Sequence, residues 1–355
     1  MIRGRAMSGV RLAVVCLACS AASANAQSGR ILQVGTIPGP ADMVRAEGTH
    51  AYVAASRTIT VFDISNPAAP RREGSYEFPE KIWGFRTAGN LLYVADGFSG
   101  LQILDVSNAA KPLLRGSVKT PGQSKNVSVS GSRAVVANHM TGVDLIDVSD
   151  PAKPVLIGSC FLDGYARDAA ISGPVAYGVD NPSGLYVLDV ANVKGVTFDP
   201  ASAIQQAVAP QKIEISTSAR AGGPKFAVLV GGEPYDPNRA ARPAGERPRG
   251  SLQIWDLSNP TAPTLASLYR TPGSARQVAL KDALAYVADT DEGIQVLDLA
   301  TLSKPVIIAS YKTAAPTRDI AVAGAVILVV VGGNFSGSPS ASQTSTEVAL
   351  LQHTP

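Results

Sequence analysis

Cysteine and histidine are scarce in this 355-residue chain, which contains three of each. Cys16 and Cys19 lie near the N-terminus, and Cys160 stands alone in an apolar stretch, so we predict no disulfide and a buried structural thiol at Cys160. The histidines are far apart in the sequence: His50, His139 and His353. Since this spacing supplies neither a zinc site nor a catalytic triad, we predict no metal, no cofactor and no catalytic residue.

An excess of either charge is also absent from most of the chain. There are 31 Lys and Arg residues against 28 Asp and Glu residues. Three of the basic residues, Arg3, Arg5 and Arg11, precede residue 27 in a segment without acids, which leaves 28 residues of each sign in the remainder. A neutral protein has no overall field to attract nucleic acid, so we predict no nucleic-acid partner.

Long apolar runs are missing too. Near the N-terminus, a short run at residues 10–18 overlaps the end of the basic segment at Arg11 and precedes Ala24-Asn25-Ala26. This run is too short to span a membrane, and its flanks are those of an export signal, so we predict no transmembrane segment. We expect cleavage after Ala26 and export to the periplasm or the exterior. Lipid anchoring at Cys19 is the alternative, although Cys16 replaces the branched apolar residue usual in such signals.

What the chain does contain is one unit repeated many times. An apolar pair followed by aspartate recurs six times, with aspartates 42, 42, 42, 67 and 42 residues apart: Asp63, Asp105, Asp147, Asp189, Asp256 and Asp298. A seventh, degenerate copy covers residues 348–352. Each unit contains four short segments rich in Val, Ile and Tyr and separated by turn residues.

Four strands in about 42 residues, repeated, are typical of a β-propeller blade. We therefore predict an all-β, seven-bladed propeller over residues 27–355, after a signal peptide at 1–26. The seventh copy lacks a fourth strand, and residues 31–39 resemble that strand in type. We expect the N-terminal strand to complete the last blade and close the ring. We also expect a monomer.

The repeats resemble those of the LVIVD repeat family. The resemblance rests on residues 100–108 (GLQILDVSN), 184–190 (GLYVLDV) and 293–299 (GIQVLDL), and covers most of 30–355. It implies a propeller-type fold and export, and it implies no reaction, because the family has no established common activity. The six aspartates themselves are predicted to accept hydrogen bonds within their own turns, since a residue repeated in every blade serves the blade.

Candidate binding residues come from the positions predicted to open the innermost strand of each blade. Five of these seven positions hold a cation or an aromatic residue: Trp83, Lys125, Arg167, Arg276 and Arg318. They are predicted to surround one mouth of the channel and to bind an anion or an acidic partner. The alternative is purely structural pairing, Arg167 with Asp180 and Arg276 with Asp289, across the same hairpin.

Two insertions are predicted on the same face of the ring. One, near 233–249, is rich in Pro and Arg, and the other, near 334–345, is rich in Ser and Gly. The first offers a candidate partner-binding loop: Tyr235, Arg239, Arg242, Arg247 and Arg249. We therefore predict a non-enzymatic binding scaffold for a protein or envelope component. The alternative is a propeller enzyme, a hydrolase, lactonase or lyase, acting on a small anionic substrate at the channel mouth.

Overall fold

The structure, a computed structural model, describes residues 29–181, 184–191, 193, 200, 202–204, 210–216, 225–231, 250–333 and 346–354. Its regular elements are β-strands and one 3-10 turn, Thr290–Glu292, with no α-helix in these ranges. Within the same ranges, no helix is long and apolar enough to cross a membrane. The predicted all-β class is confirmed.

The strands form seven antiparallel sheets of four. The first strand, β1 (Arg30–Ile37), belongs to the last sheet. Blade 1 contains β2 (Met43–Glu47), β3 (His50–Ala55), β4 (Thr58–Asp63) and β5 (Arg71–Glu77). Blade 2 contains β6 (Gly84–Ala88), β7 (Leu91–Ala95), β8 (Leu101–Asp105) and β9 (Leu113–Val118). Blade 3 contains β10 (Asn126–Ser130), β11 (Arg133–Ala137), β12 (Val143–Asp147) and β13 (Val155–Cys160).

The remaining strands form blades 4 to 7. Blade 4 contains β14 (Tyr165–Ser172), β15 (Val175–Asn181), β16 (Gly184–Asp189) and β17 (Ser202–Ile204), and blade 5 contains β18 (Pro210–Ile215), β19 (Phe226–Gly231), β20 (Ser251–Asp256) and β21 (Thr264–Arg270). Blade 6 contains β22 (Gln277–Lys281), β23 (Leu284–Ala288), β24 (Ile294–Asp298) and β25 (Val306–Tyr311). Blade 7 contains β26 (Thr317–Ala323), β27 (Val326–Val331) and β28 (Glu347–Thr354), together with β1.

The first strands of the blades form a closed circuit at the centre of the molecule. Each contacts the next, in the order β2, β6, β10, β14, β18, β22, β26 and back to β2. The predicted seven-bladed propeller is confirmed. In the last sheet, β1 pairs with β28, from Arg30 opposite Thr354 to Ile37 opposite Val348. The outer strand of that blade therefore comes from the opposite end of the chain to its other three strands.

The hydrophobic core lies between neighbouring blades, and strand β7 illustrates why. Leu92 and Val94 pack into a cluster with residues of blade 1. The alternate residues, Tyr93 and Ala95, pack into a cluster with residues of blade 3. Because both faces of the sheet are covered, the strand is apolar without alternation, which is unusual for an antiparallel sheet.

The repeated aspartates end the third strands as predicted. In each of the six, Oδ1 accepts a hydrogen bond of 2.8–2.9 Å from the backbone N–H two residues later: Asp63, Asp105, Asp147, Asp189, Asp256 and Asp298. Hydrogen bonds from the side chain and the backbone N–H of Ser107 lower the pKa of Asp105. The turn role predicted for these residues is confirmed.

Candidate functional site

One mouth of the ring gathers the starts of the first strands and the connections between second and third strands. The backbone N–H of Trp83 donates to the Ala95 carbonyl at 3.0 Å, and the backbone N–H of Lys125 donates to the Ala137 carbonyl at 2.7 Å. The chain that carries the insertions also leaves and re-enters here, because β19 ends at Gly231 and β20 begins at Ser251. We call this side the insertion-bearing face.

The partner-binding loop predicted from the sequence cannot be placed on this face. Its five candidate residues all lie outside the described residues: Tyr235, Arg239, Arg242, Arg247 and Arg249. Blades 2, 3 and 4 carry the described candidate residues that lie nearest to one another on this face, Trp83, Lys125 and Arg167.

Trp83 and Lys125 lie together at the entrances to blades 2 and 3. The Lys125 ammonium is 3.2 Å from the centroid of the Trp83 ring, and the Lys81 ammonium is 4.9 Å from it. Both lysines therefore contact the negative π-face of one indole, a cation–π arrangement. The pKa of Lys125 is lowered by burial and then by the positive charges of Arg167 and Lys81.

Arg167 lies one blade further round the ring, beside a pair of stacked rings. Strand β14 is bulged between Ala166 and Asp168, which places Arg167 at the irregularity. The rings of His139 and Tyr165 stack with centroids 4.9 Å apart. The pKa of His139 is lowered by burial and then by the charges of Lys125 and Arg167. Each cation thus lies in the positive field of the others.

The two aspartates named in the pairing alternative accept backbone hydrogen bonds. Asp180 accepts the Gly164 N–H at 2.9 Å, and Arg167 forms no ion pair with it. Asp289 accepts the Gly273 N–H at 2.8 Å, and its other oxygen has no hydrogen-bond partner. These carboxyls point into the base of each hairpin and attach it to the loop that enters the blade.

Arg276 and Arg318 differ from the cations of blades 3 and 4. Arg318 lies at the bulge of β26, and a β-carbon at Gly333 would lie 2.6 Å from its Nη1. Both arginines have interaction partners of their own. The structure therefore brings Trp83, Lys125 and Arg167 together and leaves Arg276 and Arg318 as separate members of the rim.

Large apolar side chains on the same blades were missed by the sequence analysis. Phe98 and Met140 occupy hairpin tips, and Phe161 follows the fourth strand of blade 3. Their exposed fractions are 66%, 71% and 62%, against 44% for Tyr165 and 36% for Trp83. The signal was present, since blades 1 and 6 have Arg57 or Asp291-Glu292 in the corresponding hairpins.

Two ion pairs join residues of different blades in the channel behind the mouth. Arg86 makes two hydrogen bonds to the Glu214 carboxylate across the ring, and Arg45 pairs with Asp319 at 2.8 Å. Burial opposes the charge of Arg86, but Glu214, with Asp168 and Asp319 nearby, raises its pKa. A cavity of about 250 Å³ remains, lined by residues of all seven first strands. The charges of the channel are thus balanced, in contrast to those at the mouth.

Metal ligation has no evident place in the described ranges. No group of three or more His, Cys, Asp or Glu side chains there is arranged to hold a metal ion. Cys160 is buried and not bonded to another cysteine.

A closed ring of seven four-stranded blades around a narrow channel defines the class of β-propellers. The model of the LVIVD repeat matches residues 38–77, 85–120, 121–161, 163–194, 249–271 and 272–313. The chain belongs to the LVIVD repeat family. Blade 7 and the first half of blade 5 lie outside the matched residues.

Solved structures support the fold. The β-propeller domain of Cps50 (Swd1) from Myceliophteria thermophila has a TM-score of 0.64 at 10% identity, covering 91% of this chain and 99% of that one. The computationally designed protein Ika8 has a TM-score of 0.59 at 9% identity, covering 89% and 98%. Sqt1 of Saccharomyces cerevisiae has a TM-score of 0.57 at 8% identity, covering 92% and 100%. No curated protein matches the sequence.

Proposed function

We propose that this propeller is an exported, non-enzymatic scaffold that binds a protein or an envelope component through its insertion-bearing face. The observation that carries the proposal is the set of large apolar side chains left exposed at that mouth on blades 2 to 4. Phe98, Met140 and Phe161 are each more than half exposed. Exposed aromatic and methionine side chains grouped on one face are typical of binding surfaces.

Export is supported by the N-terminal sequence alone. Residues 1–26 combine a basic start, a short apolar run and Ala24-Asn25-Ala26. The neutral remainder of the chain and its single cysteine are compatible with either side of the envelope. N-terminal sequencing of the mature protein tests this part of the proposal: Gln27 is expected as the first residue, and an intact Met1 would contradict it.

The enzymatic alternative finds less support at the same mouth. A hydrolase or lyase needs an accessible general base whose environment differs from that of its neighbours. Burial raises the pKa values of Asp96 and Asp289 to about 6. Both carboxyls are fully buried, and each accepts a backbone N–H of the loop entering its blade. Their geometry favours fastening the hairpin over proton transfer to a substrate.

Affinity capture from the native envelope fraction tests the proposal. We expect the mature protein to retain a partner, and a variant lacking residues 234–249 to lose at least part of that retention while keeping its thermal unfolding midpoint. The matched control, Lys111→Gln/Lys153→Gln, changes two exposed residues in turns of the opposite face. If the deletion variant captures the partner as well as wild type does, and the control variant captures less, the partner binds the opposite face. That result would overturn the proposal.

A further inference from the structure

The exposed residues of blades 2 to 4 form one continuous surface. Its members are Trp83, Phe98, Lys125, Met140, Tyr165 and Arg167, which we call the blade 2–4 surface. Neighbouring blades are joined directly beneath it: Ser124 N–H donates to the Gly97 carbonyl at 2.9 Å, and Ala166 N–H donates to the His139 carbonyl at 2.8 Å. These two bridges fix the hairpin of each blade against the first strand of the next. The surface is therefore preformed.

The charge of this surface is uncompensated. Lys81, Lys125 and Arg167 form no ion pair with a carboxylate in the described part of the chain. Two acids of the neighbouring loops are engaged elsewhere: Asp96 accepts the Glu80 N–H at 3.2 Å, and Asp163 accepts the Tyr186 hydroxyl at 2.7 Å. Glu80 itself is exposed beside Lys81 and forms no ion pair in the described part of the chain. Because burial and two neighbouring cations already lower the pKa of Lys125, an anion placed between Lys125 and Arg167 would be stabilised by both.

The apolar part of the surface indicates what carries the anion. Phe98 and Met140 project at adjacent hairpin tips, and Phe161 lies beside the second hairpin, since a β-carbon at Gly142 would lie 2.9 Å from its Cα. Methionine adapts its shape to apolar side chains of a partner, and Trp, Tyr, Phe, Met and Arg are the residues enriched in protein interfaces. Nucleobases and sugar rings also stack on aromatic side chains, whereas Met140 has no flat ring to receive them and suits an apolar side chain of a polypeptide better.

We propose that the blade 2–4 surface binds an acidic polypeptide segment that carries apolar side chains. Its carboxylates would lie between Lys125 and Arg167, and its apolar side chains would pack on Phe98, Met140 and the Trp83 ring. This inference rests on the proposed function, because it assigns the partner's chemistry to part of the insertion-bearing face. Charge complementarity supplies the orientation, and burial of the apolar side chains supplies most of the affinity.

Titration with a random copolymer of glutamate and tyrosine tests the inference, with tryptophan fluorescence as the readout. The chain has two tryptophans. Trp255 is 4% exposed, and its indole N–H donates to Gln253 Oε1 at 3.1 Å. A change in fluorescence on binding therefore reports on Trp83. We expect saturable binding that weakens with added salt, and weaker binding of polyglutamate. Lys125→Gln/Arg167→Gln and Phe98→Ser/Met140→Ser should each weaken binding by roughly tenfold or more.

The control is again Lys111→Gln/Lys153→Gln, which removes the same charge from the opposite face and should leave affinity within about twofold. Absence of saturable binding by the folded wild type overturns the inference, as does an equal loss in the control. Tighter binding of polygalacturonate or oligothymidylate than of the copolymer would also overturn it, in favour of another polymer class. None of these results affects partner capture that depends on residues 234–249, so the two proposals fail separately.

Discussion

Asp144 in blade 3 is a buried carboxyl held by two neighbours. Asn138 Nδ2 donates to it at 2.6 Å and the Ser159 hydroxyl donates at 2.5 Å. Burial nevertheless raises its pKa from 3.8 to about 6, because desolvation outweighs the two hydrogen bonds. Repeats 2 and 6 place Gln102 and Gln295 at this position, where the amide needs no ionisation.

This pKa predicts a pH dependence of stability. With a folded-state pKa raised above the unfolded value, Asp144 loses its proton first in the unfolded chain. Its contribution to the free energy of unfolding therefore falls as pH rises from about 4 to about 6 and is then constant. Asp144→Asn should remove this fall. The variant should therefore gain on the order of 3 kcal/mol relative to wild type between pH 4 and pH 7. Urea unfolding of both proteins at the two pH values measures the difference, and a pH-independent difference would contradict the pKa shift.

At the scale of the element, the outer strands of the blades have a constant feature. A β-carbon at Gly74 would overlap the Ala109 carbonyl oxygen, and one at Gly116 would overlap the Pro151 carbonyl oxygen. These oxygens belong to the turn between third and fourth strands of the next blade. In β21 the corresponding residue is Ser267, whose hydroxyl donates to the Leu302 carbonyl at 2.6 Å. Small residues here permit close approach of consecutive blades.

A larger residue at this position should force neighbouring blades apart. Gly116→Val is expected to lower the free energy of unfolding by about 1–3 kcal/mol, as overpacking does elsewhere. Ser117→Val, one residue further along β9, places the same side chain on an exposed position and should be nearly neutral. Chemical denaturation of the two variants gives the comparison, and equal unfolding free energies would refute the packing role of Gly116.

The contacts of the six aspartates could be predicted from the sequence, whereas those of the outer-strand glycines could not. The hydrogen bond of Asp63 to the Ser65 N–H spans two residues, so the motif itself contains both partners. The contact of Gly116 is with Pro151, in another repeat, and no local pattern announces it. Hydrogen bonds within a turn can thus be predicted from one copy of the repeat. Contacts between copies can be identified only from the structure of the ring.

At the scale of the whole molecule, the regular repeat predicts the fold, and the residues that differ from copy to copy indicate the candidate site. The number of blades follows from counting seven copies of the 42-residue repeat, because each copy must bury its faces against the next. The cations at the first-strand positions could be grouped by the same alignment. Their contacts could not be predicted in this way, because Lys125 contacts the ring of Trp83 from the preceding blade and Asp180 accepts the Gly164 N–H.

The exposed apolar tips were overlooked for a related reason. Phe98 and Met140 replace polar residues at positions where the repeat imposes no packing, so they carry no structural signal in a single copy. Comparison of the hairpins between copies marks them as unusually apolar, but only the ring shows that they share one face with Trp83 and Tyr165.

Site-specific photo-crosslinking in the native envelope tests the central claim, that this propeller binds its partner through the insertion-bearing face, most directly. A photoreactive phenylalanine analogue is placed at position 98, at the hairpin tip of blade 2, or at position 113, which is 56% exposed at the start of the outer strand of the same blade. The account predicts a crosslinked partner from position 98 and none from position 113. A crosslink from position 113 alone, or equal crosslinks from both, would contradict it.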